Sequence, residues 1–219
     1  MARMTALAAI VAALVCAPVA LVAQNKAATY ITKEQVDTVN KQPGTDRTIR
    51  VLDIGHENFA VGIIHRGPTG GAARGAAAAG AAGAGRGAAQ APADPCGEAA
   101  GTPPPAGTPN GLYHESQTEG YYIVSGAGTM VTGGHIVNGR KSAAAAEVTT
   151  TLNGPSCSGS IMGSDVVTRD VQVGDIIIIP AGVPHGWSTI PDHVDYLSFR
   201  PSQRVLTAGY VHPSISGQK

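Results

Sequence analysis

Aromatic residues are scarce in this chain, with two Phe, one Trp and six Tyr among 219 residues. They are not interleaved with basic residues, so there is no platform on which nucleotide bases could stack. Charge is sparse too: charged residues make up 14 % of the chain, the formal net charge is zero, and Lys and Arg are scattered rather than gathered into a stripe. Nucleic acid therefore has no electrostatic footprint here, and the expected partner is a small molecule or ion. A nucleophile elbow followed by Asp and His is also missing, which argues against hydrolysis by an activated serine.

Cysteine is nearly absent. Of the three, Cys16 lies in an apolar N-terminal run, which leaves Cys96 and Cys157 as one candidate pair in an oxidising compartment. The run itself, residues 4–23 behind Met-Ala-Arg, resembles a secretory signal, so residues 1–23 are expected to be removed and the protein to be periplasmic or secreted. The alternative is an uncleaved membrane anchor over residues 4–23, since the run is close to spanning length.

Gly, Ala and Pro are concentrated in residues 68–110. Such sequence buries too little apolar surface to offset its ordering entropy, so a disordered insertion is expected there. A second polar, Gly/Ser-rich excursion covers residues 138–163 and is expected to be a loop insertion.

The remainder reads as short strands. A helix start lies at Tyr30–Val36 in the 24–50 segment, with Thr32 as cap, Gln35 three residues on, and Ile31 and Val36 as the staple; Lys41-Gln-Pro-Gly44 should end it. Strands are expected at 50–54, 59–65, 112–116, 119–125, 129–137, 166–173, 175–179, 186–189 and 194–199, separated by Gly/Pro turns. Many short strands without internal helices imply a sandwich or barrel over residues 51–200, followed by a tail over 201–219 that could add an edge strand or meet a second protomer.

Two stretches carry the chemistry. Gly174-Asp-Ile-Ile-Ile-Ile-Pro-Ala-Gly-Val-Pro-His185 joins an apolar β-branched run, expected to be buried on both faces, to a Pro/Gly turn that delivers one imidazole. Upstream, His114 is followed after four residues by Glu119 and after six more by Gly126. In this order and spacing the two stretches resemble the paired motifs of the cupin family, with Leu112 standing where the family's leading histidine would be.

That resemblance implies an all-β fold, a single cupin jelly-roll barrel with a short N-terminal helix and a disordered insertion. It implies His114, Glu119 and His185 as metal ligands, with Gln117 or His65 as candidates to replace the missing histidine. Two imidazoles and a carboxylate suit Fe, Mn, Zn, Ni or Cu. Leu112, Tyr121, Ile123 and Trp187 would line the pocket, and no catalytic residue is identified. By the same resemblance the 68–110 tract would enter near the barrel mouth, as a flap or as a tolerated insertion, and the protein could pair as a homodimer. Three functions stay open: a metal-dependent, oxygenase-like enzyme on a small organic substrate; a non-catalytic small-molecule-binding cupin with a degenerate metal site; and an isomerase or epimerase.

Overall fold

A computed structural model of the chain describes residues 27–69 and 93–217. The expected signal segment and most of the Gly/Ala/Pro-rich tract, together with the flap reading attached to it, lie outside the described residues. No described helix is long and apolar enough to cross a membrane.

The N-terminal helix α1 spans Lys33–Asn40. The Thr32 hydroxyl accepts the Gln35 backbone N–H at 3.2 Å, satisfying one donor of the first turn. Ile31, Val36 and Val39 pack with Ile49, Val61, Ile63 and Ile215, so the helix covers the outside of the first two strands.

Eleven strands follow: β1 Asp46–Asp53, β2 Asn58–Arg66, β3 Pro95–Cys96, β4 Asn110–His114, β5 Glu119–Thr132, β6 His135–Lys141, β7 Ser156–Met162, β8 Val167–Gln172, β9 Ile176–Ile179, β10 His185–Thr189 and β11 Val194–Ser202. All strand pairs are antiparallel, and the all-β expectation stands. One sheet runs β1-β2-β11-β5-β9 and the other β8-β5-β10-β4-β7-β6-β3. Strand β5 belongs to both. Its first half pairs with β11 and β9, its second half with β10 and β8. The sequence suggested two strands divided by a turn at Gly126-Ala-Gly128. Instead the chain bends through Gly126 (φ +71°) without breaking, and a Cβ there would lie 2.0 Å from the His193 carbonyl oxygen. Only glycine fits that bend. Ile64, Tyr121, Ile123, Met130, Val171, Ile179, Val194 and Tyr196 fill the interior.

Three expectations are corrected. Residues 93–110 are not disordered: β3 pairs with β6, Glu98 N–H donates to Ile136 O at 2.8 Å, and Cys96 is bonded to Cys157 with Cα atoms 6.0 Å apart. Composition registers low apolar content but not a covalent tether. The 138–163 loop contains β7, paired with both β4 and β6, and a π-helical turn over Thr149–Asn153. Small residues in β7 hid it, because strand propensity reflects packing context more than the residue itself. The four isoleucines are not buried on both faces either. Strand β9 pairs with β5 alone, and Ile176 and Ile178 are 70 % and 66 % exposed while Ile179 is buried. In the tail, Val51 N–H donates to Tyr210 O and Val211 bridges to Arg50, so the chain closes onto the β1 edge.

Candidate metal centre

His114 ends β4, Glu119 opens β5 and His185 opens β10. Strands β4 and β10 are neighbours, with His185 opposite Leu112 and Gly186 opposite Gly111. A Cβ at Gly111 would lie 2.2 Å from the His185 carbonyl oxygen, so this close approach of backbones needs glycine. The Pro180–Pro184 turn is tied to the upstream motif directly: Gly182 N–H donates to the His114 carbonyl at 2.8 Å. The two motifs thus meet through backbone as well as side chains.

The three side chains converge. His114 Nε2 lies 3.1 Å and His185 Nε2 2.9 Å from Glu119 Oε2, and the candidate ligand atoms all fall within 4.8 Å of one another. Exposure is 2 % for His114, 0 % for Glu119 and 3 % for His185. Among the described residues no other group of three His, Cys, Asp or Glu converges this way.

Hydrogen bonds on the far side of each ring assign its proton. His185 Nδ1 lies 3.0 Å from the Val183 carbonyl oxygen, which can only accept, so Nδ1 carries the hydrogen. His114 Nδ1 lies 2.8 Å from Ser156 Oγ, whose own hydrogen points to the carbonyls of Asn153 and Gly154. Oγ therefore accepts from Nδ1–H. In both neutral rings Nε2 holds the lone pair, which is the metal-ligating tautomer. The His185 Nε2 atom is buried without an aligned hydrogen-bond partner, although the carboxylate is near. Two lone pairs beside a carboxylate oxygen repel unless a cation stands among them. The residues fit a metal.

Arg200, on β11, was not singled out in the sequence. Its guanidinium pairs with Glu119 Oε1 and with Asn153 Oδ1, donates through Nε to Ser198 Oγ at 2.7 Å, and approaches His114 Nε2 at 3.4 Å. Ser198 donates to Glu119 Oε1 at 3.1 Å and Tyr121 to Oε2 at 3.0 Å. Burial alone would raise the Glu119 pKa, but Arg200 and then His114 hold it well below the usual carboxylate range. Burial lowers the His114 pKa, against the pull of Glu119, and raises that of Tyr121, so both stay neutral.

The remaining candidates scatter. Gln117 is buried, its Oε1 against Gly154, and it makes no hydrogen bond to the cluster. His65 is held elsewhere, with Nδ1 2.6 Å from Asp195 Oδ1, because its register on β2 sets it opposite Asp195. Neither replaces the missing histidine. Leu112 is half-buried and Ile123 is a core residue. Tyr121 stacks on Tyr196 at 4.2 Å and meets His185 edge-on at 6.2 Å, while Trp187 lies 5.8 Å from Tyr196. Tyr196 was missed, although it sits on the inward side of β11 with Ser198 and Arg200.

No family model matches the sequence, and no curated protein does. Solved structures do. A double-stranded β-helix protein from Klebsiella pneumoniae matches at 13 % identity over 81 % of this chain and 94 % of its own, with a TM-score of 0.36. A Bacillus halodurans protein, BH2720, matches at 13 % identity over 86 % of this chain and 92 % of its own, TM-score 0.37. Oxalate decarboxylase from Lactobacillus farciminis matches at 11 % identity over 76 % of this chain but 31 % of its own, TM-score 0.35. The chemistry of the centre rests on this chain's own side chains.

Proposed function

We propose that the chain is a metal-binding barrel whose His114, Glu119 and His185 hold a divalent ion, and that it acts as a metal-dependent, oxygenase-like enzyme on a small organic substrate. The observation that carries the reading is the proton assignment: both Nδ1 atoms donate away from the centre, so both Nε2 lone pairs face Glu119 Oε2. When bound, a divalent ion would supply Lewis-acid polarisation of a ligand oxygen, and three protein ligands leave positions for exogenous donors. The chain's own residues do the rest. Ser156 and the Val183 carbonyl fix the ring orientations, Arg200 and Ser198 hold Glu119 by Oε1, and Tyr121 donates to Oε2.

A specific observation favours the second reading, a non-catalytic binding module: Glu119 is already neutralised by a buried guanidinium. Elemental analysis of protein purified without chelator separates the two. Near-stoichiometric metal, lost on His185→Ala, is the expected result; no metal in either sample removes the enzyme reading. The Cys96–Cys157 bridge supports an oxidising compartment, and native protein should show no free thiol from this pair before reduction. The partners in this reading are a small organic ligand and a second copy of the chain, the latter measured by sedimentation.

A further inference from the structure

The charge balance of the centre carries an inference that rests on the metal reading above. Glu119 is the one carboxylate in it, and Arg200 already matches that charge through Oε1. Both imidazoles are neutral in the tautomers their Nδ1 partners impose, and Tyr121 enters as a neutral hydroxyl donor. The formal sum is zero. All four of His114, Glu119, His185 and Arg200 are at most 3 % exposed. A divalent ion would therefore leave two uncompensated positive charges in a water-poor interior, which is strongly unfavourable without a counter-charge. The same three ligands without Arg200 would leave one.

The surroundings specify what the counter-charge must be. Leu112 lies two residues before His114 on β4 and opposite His185, and it offers no ligand, so exogenous donors have coordination positions open to them. Arg200, Ser198 and Tyr121 present hydrogen-bond donors around the carboxylate. Donors select acceptors.

We propose that the centre takes up its divalent metal together with a small oxyanion, a carboxylate or enolate, and that Arg200 is the residue imposing this requirement. The substrate is then a deprotonated acid or enol rather than a neutral molecule. Metal and anion bind cooperatively, each tightening the other by the same factor, because coupling free energies are reciprocal.

The test is Mn2+ affinity in a chloride-free buffer, with and without saturating formate, for the wild type, Arg200→Lys and Arg200→Met. In the wild type, formate should tighten Mn2+ binding by roughly 5- to 150-fold, the usual span of such couplings. Arg200→Lys keeps the charge and should keep the effect. Arg200→Met should bind Mn2+ alone more tightly than the wild type does and lose the response to formate. Mn2+ binding by the wild type that is indifferent to formate overturns the inference and leaves the metal reading standing. No Mn2+ binding in either condition overturns both. If Arg200→Met does not fold, formate affinity of the wild type with and without Mn2+ decides, and equal affinities sink the proposal.

Discussion

Two histidine clusters occupy this molecule, and they are built from the same residue types to opposite ends. Inside, His114 and His185 give their Nδ1 protons to a hydroxyl and a backbone carbonyl, leaving both Nε2 atoms on Glu119. Outside, His65 Nδ1 meets Asp195 at 2.6 Å, His193 Nδ1 meets Asp192 at 2.6 Å, and His193 Nε2 meets Ser125 Oγ at 2.7 Å. The outer rings are partly solvated, and their carboxylates sit on the nitrogen that the inner rings give to neutral acceptors. Water can answer any mismatch outside. Inside, each lone pair must be answered by the chain or by a cation. The partner of the second nitrogen, more than the presence of histidine, separates a ligand site from a surface ion pair.

Substitutions can break that contrast, and the largest effect belongs to Arg200. Arg200→Ala should lower unfolding stability in urea by about 3–5 kcal/mol, because Glu119 is left buried and unpaired. A loss no larger than that of a surface pair would mean the interior is wetter than the contacts imply. Next comes pH. The His114 pKa is lowered from 6.5 in the fold, so the unfolded chain binds more protons below that value and stability falls as pH drops through it. Glu119 is lowered from 4.5, so its contribution is complete above that value and is lost as pH falls further. The urea midpoint should therefore decline in two stages on acidification, and His114→Asn should flatten the upper one. Asp195→Ala, in the outer cluster, should change stability by less than about 1 kcal/mol and leave metal content unchanged. Ile178→Lys on the exposed side of β9 should fall within about 0.5 kcal/mol of the wild type.

The ligand triad was legible because each ligand is fixed locally: His185 by a Pro/Gly turn after a strand, and His114 and Glu119 by a short connection into β5. Arg200 was not. Polar residues at Ser198, Arg200 and Ser202 alternate inward on β11, but a long cationic side chain near a strand's end reads as solvated surface until its carboxylate partner from another strand is known. The isoleucine run misled for a related reason. Apolar β-branched residues announce a strand, yet whether both faces are covered depends on neighbours, and β9 has one. Composition was weakest at residues 93–110, where a disulfide to β7 orders sequence with little to bury.

Strand β5 has a dynamic consequence. It is laddered on both sides along its length, to β11 and β9 and then to β10 and β8, and it begins with Glu119. Its amides should be among the slowest to exchange with deuterium, opening only when both sheets open together. A ligand held at Glu119 would then protect amides far along the strand, and the two sheets should melt as one cooperative unit rather than in sequence.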